Sequence, residues 1–231
     1  SNLNLIDFIQ SYLLSYGVES TLIHDESGKK ANLYATIGRT DVGGVMLSGH
    51  TDVVPVEGQE WNSDPFSLKE YDGNLYGRGS ADMKGFIALA LSRIPEMVSE
   101  ELTQPIHLAF SYDEEIGCVG VQRMLDLLEH QPIKPSCCII GEPTSMEVVI
   151  GHKGKHASRV KVKGHACHSG QSPFGVNAID FAAELIVYIR KLAREKAKKG
   201  PFDMDYEVPY STLHTGVVKG GTALNIVPNF C

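Results

Sequence analysis

Short apolar runs alternate with longer amphipathic stretches along the first part of the chain. The short runs at residues 45–48, 106–110 and 137–140 predict buried strands. Between these runs, residues 86–97 and 121–129 repeat apolar side chains every three or four positions, which predicts helices. This alternation is typical of α/β proteins, in which helices connect the strands of one sheet. We therefore expect an α/β sheet with crossover helices.

The first residues of the chain also have the spacing of an amphipathic helix. The apolar positions that we expect this helix to bury are Leu5, Phe8, Ile9, Leu13 and Leu14. The helical pattern begins almost at once, and the first residue is Ser1 rather than Met. We expect from this that the sequence starts inside a longer protein.

The pattern changes after residue 150. Residues 158–163 alternate between apolar or small side chains and basic ones, which predicts a strand with one solvent-facing side. Asn177 is a suitable N-cap for a long helix, whose basic C-terminal residues are favourable at a helix end. A Gly-Pro pair follows and should terminate this helix. Two later apolar runs, at residues 212–218 and 223–227, predict further strands.

These patterns predict two domains with a boundary near Gly151. Residues 1–150 form the larger α/β domain, and residues 151–231 form a smaller α+β domain. One helix with two or three strands is an incomplete layer. We therefore expect the second domain to continue beyond Cys231.

Composition narrows the classes of function. The chain has 231 residues, of which 42% are hydrophobic and 21% are charged, as in globular proteins. The formal net charge of −7 does not attract phosphate backbones or anionic lipids, so we expect no nucleic-acid partner. No apolar run approaches the roughly 18 residues that suggest a membrane span, and we expect no membrane association. Five cysteines, an odd number, favour a reducing compartment, with the cytoplasm as the expected location.

Acidic side chains and one imidazole fall where the predicted strands end. They are His50, Asp52, Asp82, Glu114, Glu115 and Glu142. In open α/β sheets, ligands bind beyond the carboxyl ends of the strands, so we expect these side chains to converge. One imidazole with several carboxylates and no thiolate cluster suits zinc, cobalt or manganese. The sequence therefore predicts a metal site.

Each candidate has a role that its chemistry suggests. Asp52 follows His50 by two residues and is placed to hold the second ring nitrogen. Asp82 is the candidate to bridge two ions. Of the neighbours Glu114 and Glu115, one can bind metal while the other reaches a water. Taken singly, each also has a structural interpretation, such as a helix cap at Asp82 or a solvated turn at the glutamate pair.

Four motifs in a fixed order carry a family resemblance. Residues 48–55 read SGHTDVVP, residues 76–85 read YGRGSADMKG, residues 113–115 read DEE, and residues 141–144 read GEPT. Together they resemble the dinuclear zinc amidohydrolases of the M20 peptidase family, and within it the acetylornithine deacetylase group. The resemblance implies a zinc-peptidase-like mixed sheet for residues 1–150.

The second part of the chain resembles the lid, or dimerisation, domain of the same family. The matching segments are residues 164–170, 175–179 and 220–228. In the family, the second metal takes its last ligand, a histidine, from beyond the lid. The resemblance therefore implies that residues 151–231 are a truncated lid domain and that this sequence holds four of five expected metal ligands.

The resemblance implies specific roles for the metal ligands. It makes His50 and Glu142 the terminal ligands of one metal, Asp82 the bridge, and Glu115 a ligand of the second metal. Two zinc ions per full-length subunit are implied, with cobalt or manganese as alternatives.

It also implies roles around the metals. Glu114 resembles the general base and Asp52 the carboxylate that orients the histidine. His168 resembles a histidine that crosses the dimer to stabilise an oxyanion, with His165 as a rival, and Asn225 resembles a substrate contact. A homodimer through the lid domain is implied.

The implied reaction is hydrolysis of a small N-acylated amino acid. N2-acetylornithine, cleaved to ornithine and acetate in arginine biosynthesis, is the first candidate. Alternatives are succinyl-diaminopimelate, other N-acyl amino acids, and dipeptides. The alternative outside the enzymes is a non-catalytic dimerisation or binding module.

Overall fold

The computed structural model describes all 231 residues, which separate into two compact units, Ser1–Lys155 and His156–Cys231. This division lies a few residues beyond the boundary that the sequence predicts. The assignment of the units to catalysis and to a lid remains a prediction.

A five-stranded mixed sheet forms the centre of the first unit. Its strands are β1 (Ser20–His24), β2 (Ala31–Ile37), β3 (Val45–His50), β6 (Ile106–Ser111) and β7 (Cys137–Ile140), and a separate hairpin contains β4 (Lys69–Tyr71) and β5 (Asn74–Tyr76). The order across the sheet is β1-β2-β6-β3-β7. The pairs β1–β2 and β2–β6 are antiparallel, whereas β6–β3 and β3–β7 are parallel. Three strands therefore end at the same edge of the sheet.

Four helices accompany this sheet. They are α1 (Leu3–Ser15), α2 (Gly85–Ser92), α3 (Ile94–Ser99) and α4 (Val121–Glu129). The helix predicted at residues 121–129 is confirmed. The single helix predicted over residues 86–97 is wrong, because the chain breaks at Arg93. Pro95 in the first turn of α3 lacks an N–H and disfavours continuous helix through the residues before it.

The main core lies between α1, α2, α3 and the sheet. Its fully buried members include Ile6, Ile9 and Leu13 of α1, together with Leu108 and Phe110 of β6. The predicted burial of two other α1 positions is wrong. The side chains of Phe8 and Leu14 are exposed because they lie off the stripe that α1 presents to this core.

The last strand of the sheet differs from its prediction in burial. Residues 137–140 form β7, as expected, but all four side chains are exposed. The strand lies at the sheet edge and pairs with β3 alone. An apolar run thus predicted the strand correctly and its burial wrongly, because burial depends on what packs against each face.

The second unit is built around one long helix, α5 (Ala178–Lys199). The side chain of Asn177 accepts a hydrogen bond from the Ile179 N–H at 3.0 Å, which confirms the predicted N-cap. Gly200 terminates the helix with φ of 71°. Neither α5 nor any other helix combines the length and the apolar character needed to cross a membrane.

The strands predicted in the second unit do not form as regular ladders. Pairing is confined to isolated bridges between Lys163 and Phe230, His165 and Val176, and His168 and Ile226. The predicted strands at residues 158–163, 212–218 and 223–227 are therefore wrong. Alternating side chains favour an extended backbone, but a ladder also needs a neighbouring strand in register.

A buried histidine on β6 lies away from the edge where the parallel strands end. His107 is 6% exposed, and its Nδ1 lies 2.8 Å from the Tyr34 hydroxyl and 3.0 Å from the Thr36 hydroxyl. Its Nε2 is buried and has no hydrogen-bond partner. Burial lowers the pKa of His107 because the charged ring would lose hydration without gaining a carboxylate, and the nearby backbone of Gly43 opposes this shift only in part.

This environment predicts a stability that falls with acidity. Because the folded-state pKa lies below the unfolded value of about 6.5, the unfolded chain binds the proton more readily. The contribution of His107 should be complete above about pH 6.5 and decline below it, by at most about 1.4 kcal/mol per pH unit. Urea unfolding of wild type and His107→Gln at about pH 7.5 and about pH 5.5 measures this. A variant with the same pH slope as wild type would contradict the prediction.

Candidate metal centre

The centre begins where two parallel strands end side by side. His50 is the last residue of β3 and stands in register with Ser111, the last residue of β6. The Thr51 N–H donates to the Ser111 carbonyl at 2.8 Å, so the pairing continues one step beyond β3. The His50 side chain is only 2% exposed. The two loops that follow these strands therefore start next to each other, with a fixed imidazole between them.

Asp82 reaches the same place from a glycine-rich turn. Gly79 has φ of 84°, a conformation that favours glycine, and Asp82 itself has a non-helical backbone inside the turn. The neighbouring Met83 is fully buried beneath β3, and its Sδ accepts the His50 N–H at 3.2 Å. A Cβ at Gly49 would lie 2.9 Å from the Met83 methyl carbon, so the absence of a side chain there lets Met83 pack close to β3. This anchoring leaves Asp82 Oδ1 2.9 Å from His50 Nε2.

Asp52 connects the histidine to the glutamate pair. Its Oδ1 and Oδ2 accept the N–H groups of Glu114 and Glu115, each at 3.1 Å. On the other side, His50 Nδ1 lies 3.0 Å from the Asp52 carbonyl oxygen and 3.5 Å from its carboxylate. The main-chain oxygen of Asp52 is therefore the nearer partner of the ring. Burial opposes ionisation of Asp52, but its bonds to His50 and the two N–H groups hold its pKa at about 2.

The side chains predicted as ligands converge on His50 Nε2. Two groups of potential ligand atoms lie within 4.8 Å of one another: His50, Glu114 and Glu142 form one, and His50, Asp82 and Glu115 form the other. His50 Nε2 is 3.6 Å from Glu142 Oε1 and 3.9 Å from Glu114 Oε2. The structure thus brings together all six of the candidates that the sequence places at strand ends.

The electrostatics of this cluster fit a divalent metal. Burial disfavours protonated His50, but the hydrogen bond and charge of Asp52 and the charge of Glu142 raise its pKa to about 9. Burial, followed by the charge of Asp82, raises the pKa of Glu115, and burial with neighbouring carboxylates raises that of Glu142. A dication would keep these repelling carboxylates ionised. An imidazole among carboxylate oxygens is a donor set for zinc, cobalt or manganese.

The remaining predicted site residues lie in the second unit. His168 precedes a short 3₁₀ segment (Ser169–Phe174), and its Nδ1 accepts the Gly170 N–H at 3.1 Å. The Ser169 N–H donates to the Asn225 carbonyl at 2.9 Å. His168 and Asn225 therefore lie close together within this unit. The rival, His165, pairs through its backbone with Val176.

Comparison with known proteins decides the family of the chain. Residues 46–213 match the family described as peptidase family M20/M25/M40. The chain belongs to the M20 peptidase family. The family that the motifs suggest is thereby confirmed.

Two curated M20 relatives match over the whole of this chain. The acetylornithine deacetylase of Pasteurella multocida (strain Pm70) is 35% identical over 100% of this chain and 59% of its own length. That of Shigella sonnei (strain Ss046) is 36% identical, again over 100% of this chain and 59% of its own length. The chain thus spans about three fifths of the length of these relatives, at 59%.

A solved M20 structure has the same fold. An M20 family metallo-carboxypeptidase from Sulfolobus solfataricus matches with a TM-score of 0.63 and 20% identity, over 97% of this chain and 63% of that chain. The α/β class predicted from the strand and helix pattern and the mixed sheet that the resemblance implies are both confirmed.

Three contacts of this M20 centre were not predicted from the sequence. Met83 supports the Asp82 turn from below, and its position inside the glycine-rich motif was the signal that could have identified it. The Cys118 thiol donates to Glu114 Oε1 at 3.3 Å. Lys30 binds Asp113, which directly precedes the glutamate pair, and no local pattern connects two residues so distant along the chain.

Proposed function

We propose that the full-length protein hydrolyses the amide bond of a small N-acylated amino acid with the help of bound metal. The observation that carries this proposal is the convergence of His50 with the carboxylates of Asp82, Glu114, Glu115 and Glu142 at one edge of the sheet. Membership of the M20 peptidase family supports amide hydrolysis. The names of the relatives favour acetylornithine as substrate. N2-acetylornithine and a place in arginine biosynthesis are what the family resemblance implies.

The ligand roles follow from the resemblance and are compatible with the distances. His50 and Glu142 would hold one dication, Asp82 would bridge, and Glu115 would bind the second. Zinc is the first choice, and cobalt or manganese would accept the same ligands. When bound, such ions lower the pKa of water and polarise the carbonyl of the substrate.

Glu114 is proposed to move the proton. Its backbone N–H is fixed by Asp52, its Oε1 accepts the Cys118 thiol, and its Oε2 faces His50 Nε2 at 3.9 Å. A carboxylate held in this way can take a proton from the attacking water and return it to the leaving amine. Asp52 keeps the imidazole and the glutamate turn in place during both transfers.

His168 and Asn225 complete the proposed machinery. In a homodimer formed through the second unit, His168 of one subunit would stabilise the oxyanion in the site of the other. Asn225, bonded next to it through the backbone, would contact substrate. His165 is the alternative for the first role.

Replacing His168 with Ala should lower kcat by about 10²- to 10³-fold, the range seen when one donor to an oxyanion is removed. Zinc content should stay at the wild-type value because His168 lies outside the ligand cluster. Steady-state kinetics and metal analysis of the full-length protein measure both quantities. His165→Ala is the matched control and should retain activity; the reverse outcome would transfer the role to His165.

A substrate panel tests the proposed reaction. Full-length protein loaded with Zn²⁺ is assayed on N2-acetylornithine, succinyl-diaminopimelate, a neutral N-acetyl amino acid and a dipeptide. We expect the highest kcat/KM on N2-acetylornithine. A higher kcat/KM on another member of the panel would support the hydrolase activity but replace N2-acetylornithine as the proposed substrate. Protein that binds no metal and cleaves none of the four would favour a non-catalytic dimerisation or binding module.

The cellular location is part of the same proposal. All five cysteines are unpaired, which is compatible with a reducing compartment. The enzyme would then act in the cytoplasm.

A further inference from the structure

A lysine on the neighbouring strand's approach, just before β2, holds the turn that presents the glutamate pair. Lys30 lies just before β2, and its Nζ contacts both carboxylate oxygens of Asp113, at 2.6 Å and 2.5 Å. Asp113 directly precedes Glu114 and Glu115. We propose that Lys30, acting through Asp113, is a positioning residue for these two glutamates.

The backbone at Asp113 explains why an anchor is needed. Its φ is 56°, in the left-handed region, which Asp adopts more readily than most residues with a Cβ but still less readily than glycine. A conformation of this kind persists when its surroundings over-determine it. Two contacts do so here: Lys30 holds the side chain, and the Asp113 carbonyl accepts the Val119 N–H at 3.1 Å.

The backbone conformation at Asp113 determines where the next two residues of the metal centre lie. From Asp113 the chain passes at once to the two N–H groups that Asp52 accepts. Relaxation of the turn at Asp113 would rotate these N–H groups away from Asp52 and shift both carboxylates relative to His50. A displacement of about 1 Å in such a group is enough to cost a large factor in rate.

The ion pair is shielded more than an ordinary surface pair. The side chains of Lys30 and Asp113 are 33% and 18% exposed. Lys30 Nζ also lies 5.9 Å from the ring centroid of Tyr112, the residue before Asp113. By contrast, Arg39 and Asp41 form an exposed pair two residues apart, with side chains 49% and 66% exposed. The Lys30 contact instead joins two segments 83 residues apart, as a tertiary anchor does.

The test compares Lys30→Met with Lys29→Met in the full-length protein. Both substitutions remove one positive charge, but only Lys30 binds Asp113. Because loss of outer partners of a metal site typically costs 10- to 100-fold in affinity or activity, we expect Lys30→Met to weaken Co²⁺ binding by about tenfold. Its kcat should fall by about 10- to 100-fold while KM changes by less than about twofold. Lys29→Met should match wild type, and Lys30→Arg should recover most of both losses.

Co²⁺ binding decides the outcome independently of turnover. Wild-type affinity for Co²⁺ in Lys30→Met would overturn the inference, and so would a loss that Lys30→Arg does not restore. If Lys30→Met does not fold, the same criterion applies to Asp113→Asn, which removes the charge from the other side and suits a left-handed backbone. The inference rests on the proposed function, on its metal centre for the Co²⁺ readout and on its hydrolysis for the kcat readout. A wild-type protein that binds Co²⁺ but hydrolyses nothing would defeat that function and leave the binding test intact.

Discussion

Replacing Glu114 with Gln in the full-length protein should lower kcat by about 10²- to 10⁴-fold, the contribution typical of a general acid–base. The amide keeps the size of the side chain and can still accept the Cys118 thiol, but it cannot take a proton from water. The backbone N–H bond to Asp52 does not depend on the side chain. Metal content should therefore persist. Steady-state kinetics on the preferred substrate, with metal analysis of the same samples, measure both effects.

The adjacent glutamate provides the matched comparison. Glu115→Gln removes a proposed ligand instead of the proposed base, so it should lose metal as well as activity. Turnover of Glu114→Gln equal to that of wild type would remove Glu114 from the mechanism. Loss of metal from Glu114→Gln, with Glu115→Gln still loaded, would exchange the two roles. The alternative is reasonable on geometry, because each glutamate belongs to one of the two groups around His50.

The second large effect is expected at the proposed bridge, where Asp82→Asn should abolish tight binding of both metals. An amide offers one neutral oxygen in place of two charged ones and cannot join two cations. We expect Zn²⁺ affinity to fall by more than the 10- to 100-fold typical of outer partners. Activity should fall with it. Zinc titration of metal-free protein and assays at saturating metal measure the two effects.

The unfolding stability of the metal-free Asp82→Asn protein shows whether this variant has lost only its metal or also its fold. The Asp82 side chain is 47% exposed. Its neutralisation removes repulsion from the neighbouring carboxylates but also removes a charge that attracts His50, so the two effects oppose each other and the metal-free protein should change little in stability. Asp72→Asn is the control, because Asp72 lies in the turn between β4 and β5 with φ of 50°, which Asn also accepts. Wild-type affinity for zinc in Asp82→Asn would show that Asp82 is not a ligand.

The elements that the sequence predicted well are those whose signals are local. The helix at residues 121–129 and the cap at Asn177 depend on side-chain spacing and on one hydrogen bond to a near neighbour. The break at Arg93 had an equally local cause in Pro95, and a stricter use of the proline rule would have found it.

Burial was predicted less well because it depends on distant neighbours. The run at residues 137–140 became a strand, but as the edge strand of the sheet it leaves its side chains exposed. The runs at residues 212–218 and 223–227 found no partner for a regular ladder. An apolar run states a preference for burial, and the rest of the fold decides whether a surface is available.

The candidate site divides in the same way. The order of the motifs was enough to select His50, Asp52, Asp82, the glutamate pair and Glu142, because metal binding requires particular donor types that the letters show directly. The contacts that each of these side chains makes could not be predicted from the amino-acid sequence. The main-chain oxygen of Asp52, rather than its carboxylate, is the nearer partner of His50, and this follows from the path of the loop after β3.

By itself the sequence determined the family, the α/β class and the identity of the metal-centre candidates, since periodicity and donor chemistry are properties of short segments. The tertiary structure alone decided which side chains meet. It packed Met83 beneath β3 and placed the Cys118 thiol within hydrogen-bonding distance of Glu114. It also paired Lys30 with Asp113, 83 positions away along the chain. Such contacts depend on strand order and loop path, which are set by the packing of the whole unit and leave no mark on neighbouring residues.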